Sequence, residues 1–344
     1  MNVAFDITAV DNLNSVRGVG SYTQNLQGEL NKYKDSIGIN FVKKGFNPNS
    51  YKLVHYPYFD LFFHTLPINS KAKRIVTIHD VIPLIFPDKF PAGIRGHLNL
   101  LLQKRALKNV DLVICDSKTS KSDIVNKLSV DSKKVEVIYL AAGSAFTKLK
   151  SAKLLETVKS KYRLPDKFCL FVGDVNWNKN IGTLLEAVSI SKIPVVLVGN
   201  ALTDNSLPQT IELNSLINNI GIEKLVTKTS FVPESDLVAI YNLATVTVAP
   251  SYYEGFGLPV LESMACGTPV ICSDNSSLAE IGVGAAIFCD PSSPQDVAEK
   301  IASVVNMNTV QREQLSQKCL KHAAKFSYKK TAELTVAAYQ KVLK

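Results

Sequence analysis

Short runs of apolar, largely β-branched residues alternate along this chain with longer segments in which apolar positions recur at helical spacing. In the first half these runs are MNVAFDITAV, KRIVTIHD, VDLVICDS and KKVEVIYL, and in the second half they are FCLFVGD, IPVVLVGN, TKTSFV, ATVTVAPS and TPVICSD. Continuous apolar strands of about four to seven residues between helices are typical of parallel sheets covered on both faces. The pattern predicts an α/β fold with two doubly wound domains and a boundary in the polar stretch 142–165.

The length of 344 residues suits two domains. The N-terminal residues carry an acid, Asp6, and no basic leader, and no apolar run approaches the roughly 18 residues that a membrane span needs. We therefore expect a cytoplasmic protein. An amphipathic helix is predicted over 328–344, with Thr331, Leu334, Ala338 and Val342 near one face.

Positive charge is concentrated in residues 1–150, which hold 21 Lys and Arg against 12 Asp and Glu. Such an excess suits nucleic acid, an anionic membrane surface or an acidic substrate, and the absence of a nucleic-acid-binding motif ranks nucleic acid last. The stretch 94–109 is predicted to form an amphipathic helix that carries basic residues beside a leucine run. This helix either packs on the core with a solvated face or binds an anionic bilayer or lipid-diphosphate acceptor. Its basic residues are Arg95, Lys104, Arg105 and Lys108.

Two carboxylates stand at the ends of EGFGLPVLE, Glu254 in a predicted loop and Glu262 about two turns into the helix that follows. The intervening Phe256, Gly257 and Leu258 offer backbone N–H groups at the start of this helix, where an anion is favoured. A carboxylate has two acceptor oxygens and suits paired sugar hydroxyls. The spacing therefore allows both glutamates to contact one ligand.

Other candidate residues follow predicted strands, where the ligands of doubly wound domains bind. Gly18 and Gly20 lie in RGVGSYTQNL and would let the backbone approach a phosphate just before a helix begins. His79 and Asp80 end the strand in TIHDVIP, and Lys179 lies in GDVNWNKN, where its ammonium can stabilise a leaving diphosphate.

The stretch PSYYEGFGLPVLESMACGTPVICSDNSSLAEIGVGAAIFCDP resembles, over about forty consecutive residues, the C-terminal signature of the retaining GT-B glycosyltransferases of family 4, also called group 1, which includes bacterial mannosyltransferases. The resemblance implies two Rossmann-like domains facing a cleft. Residues 1–150 would form the acceptor domain and 151–327 the nucleotide-sugar donor domain, and the helix 328–344 would cross back onto the first domain.

The resemblance also implies residue roles. Lys179 matches the cation beside the donor diphosphate, although the family often has Arg-Lys where this chain has Asn178-Lys179, and Arg17 is a candidate to supplement it. His79 matches the histidine that faces the transferred sugar. The implied catalytic residues are Glu254, Lys179 and His79, and the implied donor-binding residues are Gly18, Gly20, Asn178, Val232, Phe256, Gly257, Leu258 and Glu262, with Val232 contacting the base and Glu262 the ribose hydroxyls.

The implied reaction transfers a hexose, by family frequency mannose, from a GDP- or UDP-sugar to a saccharide or lipid-linked acceptor in cell-surface polysaccharide or glycoconjugate synthesis. We expect no cofactor and no metal, because the chain contains no Asp-x-Asp motif. Peripheral association with the inner face of an anionic membrane is a further expectation, and nucleic acid is not expected. Two alternatives stay open, a nucleotide-sugar 2-epimerase of GT-B fold and a non-catalytic glycosyltransferase partner.

Overall fold

The structure is a computed structural model, and it describes residues 2–10 and 18–344. The chain divides into two compact units. The first comprises Met1–Gly143 together with Phe326–Lys344, and the second comprises Ser144–Lys325. Each unit is built on one six-stranded sheet in which all neighbouring strands are parallel.

The sheet of the first unit has the strand order β2-β1-β3-β4-β5-β6. Val3 of β1 is in register with Ile39 of β2 on one side and with Leu53 of β3 on the other. The chain therefore reverses its direction of winding between β1 and β3, which creates a topological switch point at the carboxyl ends of these strands. The strands are β1 Val3–Asp6, β2 Ile39–Val42, β3 Leu53–Tyr56, β4 Lys73–Thr77, β5 Leu112–Cys115 and β6 Val135–Val137.

α-Helices lie in the connections β1–β2, β4–β5 and β5–β6, whereas residues 57–72, which join the parallel neighbours β3 and β4, contain no helix. Longer helices bury one face against the sheet, and short ones close the connections. Those within residues 18–128 are α1 Gly18–Leu30, α2 Lys34–Ile37, α3 Ile82–Ile85, α4 Gly93–Lys108 and α5 Lys118–Leu128.

The sheet of the second unit has the order β12-β11-β10-β7-β8-β9, with its switch point between β7 and β10. Its core is a continuous cluster of buried aliphatic side chains, including Leu184, Leu197 and Ile301, that belong to the sheet and to the helices on it. The strands are β7 Cys169–Val172, β8 Val195–Val198, β9 Val226–Thr229, β10 Val246–Ala249, β11 Val270–Ser273 and β12 Ile287–Cys289.

Three helices of the second unit begin after a side-chain cap, from Ser151, Ser293 and Asn308. Asn308 and Gln311, for example, form a reciprocal capping box at the start of α13. The helices are α6 Ala152–Tyr162, α7 Ile181–Ser191, α8 Pro208–Asn219, α9 Glu234–Leu243, α10 Leu258–Ala265, α11 Ser276–Gly282, α12 Pro294–Val305 and α13 Thr309–Ala323.

The last helix, α14 Tyr328–Leu343, packs within the first unit. The hydroxyl of Tyr339 lies 2.7 Å from Nδ1 of the buried His55, and Thr331 donates a hydrogen bond of 2.8 Å to the carbonyl of Tyr139. Of the residues predicted near one face of this helix, Thr331 and Ala338 are buried, whereas Leu334 is 42% exposed. The buried face also includes Thr335, Val336 and Tyr339.

Each apolar run that predicted a strand contains one of the observed strands, and the predicted α/β class is confirmed. Three strands were not predicted. β2 and β3 are interrupted by polar residues, Asn40 and His55, and β12 has only three residues. His55 is fully buried in its strand because both of its ring nitrogens have hydrogen-bonding partners in the core.

Candidate active site

The switch point of the second unit joins two of the predicted site residues. Lys179 lies in the connection after β7, and Glu254 lies in the connection after β10, the neighbouring strand. The ammonium nitrogen of Lys179 is 2.8 Å from Oε1 and 3.0 Å from Oε2 of Glu254. Parallel neighbouring strands end at the same edge of a sheet, which explains why residues 75 positions apart form this ion pair.

Glu254 is held by its surroundings as well as by Lys179. The residue is only 8% exposed, and Ser251 donates a hydrogen bond of 2.7 Å to Oε1. Its backbone N–H donates to Oγ of Ser276 at 3.1 Å, and its backbone carbonyl accepts a bond of 2.9 Å from Ser277. The carboxylate therefore occupies one defined position, and a lysine and a serine already satisfy part of its acceptor capacity.

Asn178, predicted to bind the donor, ties the two connections together. Its side-chain amide donates to the backbone carbonyl of Tyr253 at 3.0 Å, and its backbone carbonyl accepts from the N–H of Tyr252 at 2.8 Å. Trp177 stacks on Tyr252 with 5.0 Å between ring centroids. Asn178 is 6% exposed, and its hydrogen bonds hold the neighbouring Lys179 beside Glu254.

The start of α10 requires glycine at position 257. Gly257 has a φ of 104°, and a Cβ atom there would lie 2.6 Å from Cδ2 of Leu278. The adjacent Phe256 is buried, and its carbonyl accepts a bond of 2.9 Å from Ser277. Leu258 is the first residue of α10, so its N–H group is among those that a helix leaves without an intrahelical acceptor. These features provide N–H donors suited to an anion.

Glu262 lies in the second turn of α10, as predicted. Its Oε2 accepts a hydrogen bond of 2.8 Å from the hydroxyl of the fully buried Tyr241. Burial raises the pKa of Glu262 to about 7, and the hydrogen bond from Tyr241 offsets only part of this effect. The carboxylate is therefore poised to change charge near neutral pH.

Val232 does not end a strand, contrary to the prediction. β9 ends at Thr229, and residues 230–233 form the connection to α9. Val232 is 7% exposed, whereas its neighbour Phe231 is 55% exposed. The strand ends early because Pro233 and the start of α9 redirect the chain.

In the first unit, His79 is the second residue after β4 and forms a close pair with Asp116, the first residue after β5. Nδ1 of His79 is 2.6 Å from Oδ2 of Asp116, and Nε2 is 3.1 Å from the carbonyl oxygen of Pro57. A carbonyl can only accept, so Nε2 carries a proton, and Nδ1 shares a proton with the carboxylate. Neither nitrogen offers a lone pair to act as a general base.

The electrostatic surroundings of His79 favour its charged form. Burial lowers its pKa, but the charge and hydrogen bond of Asp116, the charge of Asp80 and the Pro57 carbonyl together raise it by more, so the net pKa lies above the usual value. The ring of Tyr22 packs edge-on against the imidazole with 4.8 Å between centroids.

Sequence reasoning missed Asp116, although it follows the apolar run LVIC directly, as His79 follows its own strand. Asp116 is 2% exposed, and among the described residues its Oδ1 has no hydrogen-bonding partner. Only the sheet order, which places β5 beside β4, shows that the two strand ends meet. Asp80 accepts a bond of 3.0 Å from the N–H of Ile82 at the start of α3.

Gly18 and Gly20 were predicted to lie just before a helix. Both lie within α1. Gly18 is the first residue of the helix, and Gly20 is buried in its first turn. Glycine keeps its backbone N–H and interrupts no helical hydrogen bond, and its cost in a helix is the backbone entropy that it loses on folding. Arg17 lies outside the described residues.

Within residues 2–10 and 18–344, no group of three or more His, Cys, Asp or Glu side chains is arranged to hold a metal ion. In the same part of the chain, no helix has the length and apolar character needed to cross a lipid bilayer.

The two parallel, doubly wound sheets and the polar residues at their switch points define an α/β protein of GT-B fold, and solved structures support this class. Anabaena Alr3699/HepE, solved in complex with UDP and glucose, superposes with a TM-score of 0.76 over 99% of both chains at 15% identity. WaaG, a glycosyltransferase involved in lipopolysaccharide biosynthesis, superposes with a TM-score of 0.71 over 97% of this chain and 98% of its own at 12% identity.

Family models identify the chain more narrowly. The model for glycosyl transferases group 1 matches residues 156–326, and the model for glycosyltransferase family 4 matches residues 16–141. Together they cover most of the sequence. The chain belongs to the group 1 glycosyltransferases of family 4, and the predicted family is confirmed.

Curated relatives include mannosyltransferases of Escherichia coli. The serotype-specific mannosyltransferase WbdA is 30% identical over 80% of this chain, and the O-antigen chain mannosyltransferase B is 28% identical over 78% of this chain and 70% of its own length. The aligned part of this chain spans only about a third of WbdA, 34% of its length.

Proposed function

We propose that this chain is a retaining glycosyltransferase that transfers a hexosyl group from a nucleotide diphosphate sugar to a hydroxyl of a saccharide or lipid-linked acceptor, with GDP-mannose as the preferred donor. The ion pair of Lys179 and Glu254 at the switch point of the second unit carries this proposal. The relatives named mannosyltransferases support mannose, and the proposed setting is cell-surface polysaccharide synthesis.

Lys179 supplies the positive charge that a departing nucleoside diphosphate requires. An ammonium has three donors on a flexible stem, so Lys179 can keep contact with Glu254 and still turn a donor toward a phosphate oxygen. Positioned charge of this kind stabilises a developing anion without reorganisation, which makes a metal ion unnecessary in this proposal. His79 would contribute positive charge and not act as a base, because both of its nitrogens face acceptors.

The two glutamates hold different parts of the donor. Glu254 would accept bonds from hydroxyls of the transferred sugar, with the N–H groups of Phe256, Gly257 and Leu258 beside it. Glu262 would accept bonds from the ribose hydroxyls when ionised. The acceptor hydroxyl attacks the sugar on the face from which the diphosphate leaves, so the configuration is retained and no side chain acts as nucleophile.

Donor identity is tested first by thermal shift with GDP-, UDP- and ADP-sugars, since a ligand at 100 times its Kd adds about 2.7 kcal/mol to the free energy of unfolding. Mass spectrometry of the products then follows transfer to a saccharide panel with and without EDTA. We expect GDP-mannose to stabilise and to donate mannose, with activity unchanged in EDTA. Isomerised nucleotide sugar without an acceptor would indicate the 2-epimerase, and binding without turnover would indicate a non-catalytic partner.

Substitutions separate binding from turnover. Lys179→Ala should slow transfer by about 100-fold or more, and Glu254→Ala should mainly lower kcat, whereas Glu262→Ala should mainly weaken nucleotide binding. Lys153→Ala, an exposed lysine of α6 in the same unit, is the matched control and should change neither. Normal turnover by Lys179→Ala would contradict the proposed role of this lysine.

Association with an anionic membrane is part of this proposal and is supported by α4. Ile94, Leu98 and Leu101, which share one face of this helix, are 83%, 58% and 65% exposed. The helix contains Arg95, Lys104, Arg105 and Lys108 and no acidic residue. Exposed apolar side chains beside basic ones suit the surface of a bilayer that contains acidic lipids.

Sedimentation with vesicles tests this association. Acidic vesicles should bind the protein and neutral ones should not, and binding should weaken as salt shortens the Debye length from about 10 Å at 0.1 M to about 3 Å at 1 M. Reversing the four basic residues of α4 to glutamate, or changing Ile94, Leu98 and Leu101 to serine, should abolish binding while donor affinity is kept. Equal sedimentation with both kinds of vesicle would refute the association.

A further inference from the structure

Four buried polar side chains of the first unit form a continuous hydrogen-bonded network between α14 and α1. The hydroxyl of Tyr339, in α14, is 2.7 Å from Nδ1 of His55, and Nε2 of His55 is 2.8 Å from Oγ1 of Thr77. The hydroxyl of Tyr22, in α1, is 3.1 Å from the same Oγ1. All four residues are at most 1% exposed, and we call them the buried polar network.

The register of the sheet explains why these side chains meet. His55 of β3 is in register with Ile75 of β4, and side chains two residues apart on a strand lie on the same face. Thr77, the last residue of β4, therefore lies on the face that carries His55. α14 packs on β4 and beside α1, so both helices bring their tyrosines to this face. His79 follows Thr77 by two residues, which places the network next to the candidate active site.

We propose that the buried polar network positions His79, with Tyr22 as the member that contacts its imidazole. The four residues act through His79, and none of them is assigned a contact with substrate. This inference rests on the proposed function, in which His79 contributes positive charge to the site.

His79 needs a third contact because its two hydrogen bonds leave one motion open. Asp116 and the carbonyl of Pro57 are bonded to Nδ1 and Nε2, which lie on nearly opposite sides of the ring. A ring held at two such points can still rock about the line that joins them. The ring of Tyr22 packs against the imidazole with 4.8 Å between centroids and 82° between planes, and it restricts this rocking. The hydrogen bond with Thr77 in turn fixes the ring of Tyr22.

The network acts through position and not through charge. Burial lowers the pKa of His55 to about 3 and raises the pKa of Tyr22 well above its usual value, so both side chains are neutral at neutral pH. A neutral imidazole donates through one nitrogen and accepts through the other, so one tautomer of His55 sets the direction of its bonds to Tyr339 and Thr77. Because these groups are buried, removing one hydroxyl leaves its neighbour unpaired, and the neighbour must shift to find another partner.

The test combines NMR titration of His79 in the full chain with transfer assays. Thr77→Val removes the central hydroxyl and should lower the pKa of His79, because a displaced imidazole pairs less well with Asp116. It should lower kcat about tenfold, since misplacement of a site residue can cost up to about 100-fold, and it should leave the KM for the donor unchanged. Thr77→Ser keeps the hydroxyl and should restore both the pKa and kcat.

Thr335→Val is the matched control. Thr335 is fully buried in α14, but its hydroxyl donates to the carbonyl of Thr331 in the same helix and lies outside the network. This variant should leave the pKa of His79 and kcat unchanged even where its thermal stability falls.

Tyr339→Phe tests the far end of the network. Alone it should lower the pKa of His79, although Tyr339 lies two side chains away from Tyr22 along the network. In the Thr77→Val background it should cause little further change, because the connection is already broken. Tyr22→Phe keeps the ring but frees it from Thr77, and it gives the same test should Thr77→Val fail to fold.

An unchanged pKa of His79 in Tyr339→Phe and in the folded variants at Thr77 and Tyr22 would overturn the inference and leave the network a purely structural role. An equal decrease in Thr335→Val would overturn it as well, because the effect would then follow from lost stability. Failure of every nucleotide sugar to react with the parent protein would instead refute the proposed function, and the titration would still show whether the network positions the imidazole.

Discussion

Each unit holds one close ion pair at the carboxyl edge of its sheet, and the two pairs differ in what they leave available. In the second unit Lys179 contacts both oxygens of Glu254 and belongs to a short turn that follows β7. In the first unit His79 is fixed by Asp116 on one side and by the Pro57 carbonyl on the other. The ammonium group of Lys179 has further N–H donors on a flexible side chain, whereas both ring nitrogens of His79 already have hydrogen-bonding partners.

The charge of Lys179 can move toward a ligand, whereas the charge of His79 is held in place. When a diphosphate arrives, Lys179 can turn one N–H toward a phosphate oxygen and keep its contact with Glu254, because an ammonium group can rotate its three donors while the buried carboxylate stays in place. If His79 left Asp116, neither oxygen of this buried carboxylate would have a hydrogen-bonding partner among the described residues. We therefore expect substitutions at Lys179 to change both the rate of transfer and the stability of the unit. Substitutions at His79 should act through the local electrostatic potential.

The largest expected effect comes from breaking the Lys179–Glu254 pair. Lys179→Met leaves a buried carboxylate unpaired and should lower the free energy of unfolding of the second unit by about 3–5 kcal/mol. Trp177, the only tryptophan of the chain, lies two residues from Lys179, so its fluorescence during denaturant titration follows the second unit.

The double variant Lys179→Met/Glu254→Gln is the control for this experiment. It removes both charges, so most of the lost stability should return while transfer activity stays low. If the double variant were as unstable as the single one, the ion pair would not be the cause of the instability.

The comparison also shows how far the sequence predicted the site. Lys179, Glu254 and His79 could be placed because each follows an apolar run, and ligands bind at strand ends. The ion pairs Lys179–Glu254 and His79–Asp116 could not be predicted, because they depend on which strands are neighbours in the sheet. The serines around Glu254 gave no signal, since serine is common both in loops, as at Ser251, and at the start of helices, as at Ser276 and Ser277.

Position along an element was harder to predict than its type. Val232 was placed at a strand end but lies beyond it, and Gly18 and Gly20 were placed before a helix that in fact includes them. On α4 the amphipathic pattern was visible in the sequence, but only the structure shows that Ile94, Leu98 and Leu101 face away from the core. Helical spacing identifies a face without specifying what covers it.

A smaller effect should distinguish the units by pH. Glu262 of the second unit has a pKa raised to about 7 by burial, and ribose hydroxyls bind best to its ionised form. Nucleotide affinity should therefore be constant above about pH 8 and fall about tenfold per unit below pH 7. Isothermal titration calorimetry of GDP at several pH values measures this dependence.

The variant Tyr241→Phe tests whether Glu262 causes this pH dependence. The hydroxyl of Tyr241 stabilises the ionised Glu262, so its removal should raise the pKa further and move the loss of affinity to higher pH. Glu262→Gln should abolish the pH dependence in this range. A dependence that persisted in Glu262→Gln would assign it to another group.

The smallest expected effect concerns the fixed pair of the first unit. The folded-state pKa of His79 lies above its unfolded value of about 6.5, so the stability it contributes is fully present below about pH 6.5 and is lost as pH rises through the folded pKa. Each unit of pKa elevation corresponds to about 1.4 kcal/mol. NMR titration of the five histidines locates the transition, and His55 does not interfere because burial lowers its pKa to about 3.

Asp116→Asn should lower the His79 midpoint below that of an ordinary histidine, since burial then dominates, whereas Asp80→Asn should lower it less. Equal midpoints in the parent protein and in Asp116→Asn would show that Asp116 does not hold the imidazole charged, and the contrast with Lys179 would lose its basis.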